Sequence, residues 1–497
     1  MGVCLRRRSF SWRSPLPLPP SRKGRGNDCA DLDAYGGQGT IGRVSLRPAG
    51  RTAGAPDTGS RAAWTAWAGF LLATLVLLWP ALWNGYPIVF ADSGTYLSQA
   101  VHRYLGWDRP VFYSLFLLPL HLTLTTWPIV IAQALLTASV LHLLCRVLDC
   151  RHWVLPALAG VLALTSWLPW LVCQVMPDVF TPLLVLVLCL LVMCPDRLSH
   201  AEKIWLVLLS TFMIAAQQSS VPLSLILLAA LVPLRRRLGA RAPLRWRLVV
   251  APPLLAAVAL LAANLAGHGR LSLSPYGNMF VLARVIYDGP GLAVLRRDCP
   301  AAAWRLCPFV DRLPATSDEF LWQPDSPVVL AGGHKAVSAE ADAIIAAALR
   351  DQPALELRAL LANFGDQLQR FASGDGLEAW PAEVSPWIAR DFPTREWASY
   401  QAARQQRGKL AVPVWLARLH RVVALIGVGL CVALLPLALR RRLPVAGFLV
   451  AVLLALPASA LITGGLSTPH DRYQSRVMWL APCIAALAGV TLARRRA

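Results

Sequence analysis

Two aspartates, Asp92 and Asp178, and two arginines, Arg472 and Arg476, border apolar stretches of this 497-residue chain. Charge beside an apolar span is costly and is kept where it has a task. Asp92 lies in Ala91-Asp92-Ser93-Gly94-Thr95-Tyr96, and Asp178 in Met176-Pro177-Asp178. A carboxylate so placed can serve as a general base or metal ligand, and two that converge raise each other's pKa. A plainer reading stands beside this one. Asp92 or Ser93 caps a helix whose apolar face is Tyr96, Leu97, Ala100, Val101, Tyr104 and Leu105, and Asp178 caps a helix that starts near Phe180. Arg472 and Arg476, four apart, share a helix face, and the guanidinium fork suits phosphate. A juxtamembrane basic pair also snorkels to lipid headgroups.

Weaker candidates surround these four. His470 and Tyr473 accompany the arginines in His470-Asp471-Arg472-Tyr473-Gln474-Ser475-Arg476. Gln217 and Gln218 have the chemistry to bond a sugar, or simply to satisfy backbone where two short helices end. Arg284 stands four residues before Asp288, the spacing of an ordinary salt bridge. Arg103 is a further phosphate candidate. Of the eleven cysteines, most lie in apolar spans, whereas Cys299 and Cys307 both fall in the long outer segment; they read as a disulfide in an oxidising compartment or as two free thiols. No zinc spacing, phosphate-binding loop, nucleophile elbow, H-E-x-x-H or dinucleotide-binding glycine pattern occurs.

The elements that position these residues are membrane spans. Hydrophobic residues make up 56% of the chain and charged residues 15%, with a mean hydropathy of +0.50; soluble domains carry about 25% charged residues. The net charge of +21 is concentrated in short loops, at Arg235-Arg236-Arg237, Arg440-Arg441-Arg442 and Arg494-Arg495-Arg496. That is the positive-inside pattern and excludes nucleic acid as a partner. Spans of about 20 residues are predicted over 64–83, 127–148, 153–172, 180–194, 204–216, 221–234, 248–265, 412–439, 443–463 and 477–493. A membrane-dipping helix is predicted over 111–122 and an interfacial one near 93–105. The fold class is therefore all-α and polytopic, with about ten transmembrane helices and a large helical extracytoplasmic domain before the last three.

The organisation follows. Residues 1–60 read as a disordered basic tail or a start called too early, and 61–265 as an N-terminal module of about seven helices. Residues 266–411 form the extracytoplasmic helical domain, with a helix capped by Ser338 over Ala339 to Leu349 and another over Pro353 to Phe371. Residues 412–497 are a C-terminal module of about three helices. Alternation puts both termini and every arginine loop in the cytoplasm, and every polar cluster named above on the other face. A bacterial inner membrane, with the site facing the periplasm, is the expected location.

With an acidic residue in the first outer loop, a second between the third and fourth spans, about ten helices and a late outer domain, the chain resembles the GT-C superfamily. These are membrane glycosyltransferases that use polyprenyl-phosphate-linked sugar donors. The resemblance runs from Trp64 to the C-terminus and rests on Asp92 and Asp178. It implies that Asp92 is the catalytic carboxylate and Asp178 a supporting carboxylate or metal ligand, with Arg472 and Arg476 stabilising the leaving phosphate. The implied partners are a lipid-linked donor, an envelope glycan, lipid or protein acceptor, and membrane lipids. Many members carry two adjacent acids in the first loop; here Ser93 and Gly94 follow Asp92. A divalent metal is thus admitted but not required, and no other cofactor is implied. The competing class is a non-enzymatic multi-pass protein: a transporter, a flippase or an envelope-assembly factor.

Overall fold

The computed structural model describes residues 58–494. Residues 1–57, which hold almost all of the expected basic tail, and Arg495 and Arg496 lie outside the described residues. Among the described residues the chain is all-helical, with no strand beyond an isolated bridge between Ile88 and Gln174. The first apolar run breaks into α1 (Thr58–Val76) and α2 (Trp79–Asn84), which has Pro80 in its first turn. Next come α3 (Ala91–His102), α4 (Val111–His121) and α5 (Trp127–Val147). The run expected as one span over 153–172 is split into α6 (Val154–Thr165) and α7 (Leu168–Cys173). Ser166 is extended there, and Pro169 opens the second piece. Then follow α8 (Phe180–Met193), α9 (His200–Ala216), α10 (Ser220–Leu234) and α11 (Trp246–His268).

The next segment folds as α12 (Asn278–Tyr287), α13 (Pro290–Asp298), α14 (Ser317–Trp322), α15 (Pro327–Leu330), α16 (His334–Asp351), α17 (Pro353–Gln369), α18 (Ser385–Asp391) and α19 (Thr394–Ala402). The chain ends with α20 (Val414–Arg440), α21 (Val445–Leu466), α22 (Asp471–Met478) and α23 (Leu480–Arg494). Ser338 does not cap α16. The helix starts four residues earlier, after Gly333, and Ser338 lies within it, donating to Asn278 Oδ1 at 2.8 Å.

Among the described residues, five helices are long and apolar enough to cross a membrane: α5, α11, α20, α21 and the run Asp471–Arg494. Shorter apolar helices stand among them, over Trp64–Val76, Val154–Thr165, Pro177–Met193 and Ser220–Leu234. The α12–α13 pair, bent by 88°, passes the same test. Its apolar residues, however, fill a separate core with α16. Helix α8 is the hub: every residue from Phe180 to Met193 is buried. A helix apolar on all sides belongs in the middle of a bundle. At the periphery, α11 and α20 present Val250, Leu254, Leu255, Val258, Val422, Leu425, Ile426 and Leu430 to the surroundings. Apolar surface on that scale is stable against lipid, not water.

The bundle has two chemically distinct ends. Arg197 donates to the Val147 carbonyl at 2.5 Å, Arg235 to the Val192 carbonyl at 3.4 Å, and Arg441 to the Leu492 carbonyl at 3.0 Å. The loops that carry the arginines therefore meet at one end of α8, and Asp178 stands at the other. The segment 266–411 divides in two. Residues 276–348 enclose their own core of Met279, Leu282, Val294, Phe320, Val337 and Ile344. Phe371, Leu377, Val384, Ile388, Tyr400 and Leu410 instead join the core of the bundle. Cys299 and Cys307 form a disulfide in the first part, with Cα atoms 5.4 Å apart.

Candidate functional site

Asp92 is set in place by backbone pairing. Ile88 N–H donates to the Cys173 carbonyl at 2.9 Å, and Val175 N–H to the Ile88 carbonyl at 2.8 Å. That pairing lays the start of α3 beside the turn that carries Asp178. Ser93 Oγ then donates to the Val175 carbonyl at 2.8 Å and accepts from Phe90 N–H at 2.9 Å. Phe90 is the N-cap residue, so the side chain that serves the cap is that of Ser93. The Asp92 carboxylate is spent elsewhere. It accepts from Arg109 Nη2 at 2.7 Å, and Arg472 Nη1 lies 3.8 Å from its second oxygen. Burial pushes this carboxyl up; the two guanidiniums more than offset that and hold it below the usual carboxylate range.

Asp178 and Arg476 make a second pair. Arg476 Nη1 donates to Asp178 Oδ1 at 3.0 Å, and Nη2 to Ser219 Oγ at 3.2 Å. Both side chains are 1% exposed. Each aspartate therefore has an arginine of its own, Arg109 for Asp92 and Arg476 for Asp178.

A cavity of about 380 Å³ opens beside these pairs. Its polar wall includes Asp92, Asp108, Arg109, Gln217, Gln218, Arg472, Tyr473 and Arg476. Asp178 is one layer behind, screened by Arg476. Arg472 is the cation with capacity to spare. Its backbone N–H donates to Asp375 Oδ2 at 2.8 Å, and its guanidinium lies 4.0 Å from the centre of the Phe90 ring. Nη1, although buried, makes no hydrogen bond among the described residues. Nε of Arg109 and Nε of Arg476 are in the same position. Buried donors of this kind are usually satisfied, and a bound anion would satisfy them.

The weaker candidates separate. Gln217 accepts from Thr181 Oγ1 at 3.0 Å, and Gln218 donates to Ser274 Oγ at 2.8 Å; both face the cavity. Tyr473 lies between the guanidiniums of Arg472 and Arg476, at 5.4 and 5.5 Å from its ring. His470 sits outside the wall, near Asp318 at 3.5 Å and against the Tyr473 ring. Arg284 reaches the wall but is committed to Asp288 at 2.7 Å and Glu356 at 2.8 Å. It ties α12 to α17. Arg103 is exposed, ends α3 in a left-handed conformation and does not line the cavity.

Asp108 and Arg109 were not among the expected site residues. Arg109 is the closer partner of Asp92, and its guanidinium also lies 5.4 Å from Trp322 and 5.9 Å from Phe280, both on the wall. Asp108-Arg109-Pro110 directly precedes the apolar run of α4. That is the same signal, charge at the edge of an apolar stretch, that singled out Asp92 and Asp178. Among the described residues no group of three or more His, Cys, Asp or Glu could hold a metal ion. Asp92 and Asp178 are each neutralised by arginine instead, so this donor set does not fit a divalent ion. No family model, curated protein or solved structure matches the chain.

Proposed function

We propose that this chain is a membrane glycosyltransferase of the GT-C kind, which moves a sugar from a polyprenyl-phosphate carrier to a cell-envelope acceptor. One observation carries the reading: Arg109, Arg472 and Arg476 converge with Asp92 on a cavity at the end of the bundle away from the arginine loops. Its volume of about 380 Å³ lies in the range of small-ligand sites, about 300–1,000 Å³. Cations around a buried space suit a phosphate that gains charge as it leaves. The remaining wall favours a lipid-linked donor. Val221, Pro222, Leu273, Ile462 and Leu466 line the cavity, and Leu466 is 52% exposed. The sugar phosphate would lie among the arginines and the polyprenyl chain along that apolar wall.

In this reading Arg472 grips the phosphate, and Asp92 fixes Arg472 and Arg109. The acceptor oxygen attacks the anomeric carbon, the bond from that carbon to the phosphate oxygen breaks, and its electron pair stays on the carrier phosphate. The shorter apolar helices join the five long ones to make about ten spans. The basic end faces the cytoplasm and the site the periplasmic side of a bacterial inner membrane.

Binding of polyprenyl phosphate to the purified chain in detergent tests the donor site. The parent is expected to bind, and Arg472→Ala to weaken binding at least tenfold (about 1.4 kcal/mol). Equal affinity in parent and variant, or none in either, would overturn the assignment.

A further inference from the structure

We propose that Asp108, not Asp92, is the catalytic base that takes the proton from the acceptor hydroxyl. The inference rests on the transferase reading and on the geometry of the two carboxylates. Both line the cavity. Asp92 is clamped by Arg109 at 2.7 Å and faced by Arg472 at 3.8 Å. A proton arriving there would be set between two guanidiniums, and the ion pair would have to break for it to bind. Asp108 is half-buried, and its carboxylate is in no ion pair among the described residues.

The charged and titratable groups that act on Asp108 come from every side. Arg109 is its chain neighbour; Asp92 and Tyr96 face it from α3, and His334 from the start of α16. Burial pushes the Asp108 carboxyl up; Arg109 and His334 lower it, Asp92 raises it, and the balance stays above the ordinary carboxylate value. Burial also lowers the His334 imidazole. A base works best with a pKa near the operating pH, so the two carboxylates divide the work. Asp92 stays ionised and holds the cations. Asp108 accepts the acceptor's proton as the new carbon–oxygen bond forms and the anomeric carbon–phosphate bond breaks, then releases the proton to solvent.

The placement also orders the cavity. Asp108 adjoins Trp107, whose ring stacks on His334 at 3.8 Å between centroids and lies 5.7 Å from Trp322. Trp322 and Phe280 form the wall on that side. The acceptor would enter along this aromatic wall, and the donor phosphate would lie toward Arg472.

The test uses membranes that hold the full chain and its native acceptor, supplied with polyprenyl-phosphate-linked mannose, glucose or arabinose. Asp108→Asn is expected to lower kcat by about 10²–10⁴ with the donor KM unchanged, and to abolish the fall in rate at acid pH that the parent shows. Asp108→Glu, which keeps the base, is expected to recover part of the rate and to retain that acid limb. Asp92→Asn should instead raise the donor KM. An Asp108→Asn variant with the parent's kcat and pH profile would overturn the assignment while leaving the transferase reading intact. A parent that transfers no sugar would overturn both.

Discussion

At the scale of single residues, the site is governed by who neutralises whom. Asp178 and Arg476 are a fully buried pair, and Oδ2 of the aspartate makes no hydrogen bond among the described residues. Removing one partner of such a pair strands the other charge, at a cost of about 3–5 kcal/mol. Asp178→Asn should therefore lower the thermal midpoint in detergent sharply, and a variant that unfolds with the parent would show the pair to be dispensable. Asp92→Asn leaves the cap to Ser93 but strands the guanidiniums of Arg109 and Arg472; its midpoint is expected to fall less than that of Asp178→Asn, because this pair is 14–18% exposed, and donor use to be impaired. Arg472→Lys keeps the charge and loses the fork. Its donor KM should rise severalfold with kcat near that of the parent; an equal loss in both would place Arg472 in the transition state instead.

At the scale of elements, one close approach aligns the site. A Cβ on Gly94 would lie 1.9 Å from the Glu383 carbonyl oxygen, so α3 rests directly on the backbone that leads into α18. Gly94→Ala forces α3 to shift and carries Asp92, two residues earlier, with it. Overpacking of this kind costs about 1–3 kcal/mol, and a misplacement of about 1 Å at a site lowers rate about 10²-fold. Activity should thus fall further than stability in that variant, as measured by transfer rate against thermal midpoint. The helices themselves were legible in the sequence, because a run such as Phe180 to Met193 has only one way to satisfy its backbone in apolar surroundings. The breaks after Val76 and at Ser166 were not, since proline and serine barely lower the hydropathy of their windows. Charge at the edges of apolar runs singled out Asp92, Asp178, Arg472 and Arg476; Asp92 and the two arginines line one cavity, whereas Asp178, expected on the same wall, does not line it. Their pairings lay beyond that signal: Asp92 meets Arg109 17 positions away, and Asp178 meets Arg476 298 positions away. Periodicity carries no information over such separations, and pairing is decided by how α3, α8 and α22 pack.

At the scale of the whole molecule, the argument turns on two ends. Arginine loops gather at one end of α8, and the cavity opens at the other. In the proposed reading the positive-inside bias puts the arginine loops in the cytoplasm and the cavity on the other face. A cysteine at Lys335, an exposed position at the start of α16, should react with an impermeant maleimide added to intact cells. One at Arg237, in the basic loop, should react only after the membrane is opened; the reverse pattern would put the site in the cytoplasm. The central claim is cleavage of a lipid-phosphate sugar in the cavity. Its most direct measurement is the release of free polyprenyl phosphate from labelled polyprenyl-phosphate mannose, glucose and arabinose in membranes holding the parent or Asp92→Asn. The account predicts release from at least one donor by the parent and, in the variant, a donor KM raised roughly tenfold or more, because Asp92 holds the phosphate-binding arginines. Donors left intact by the parent, or moved across the membrane without cleavage, would contradict it.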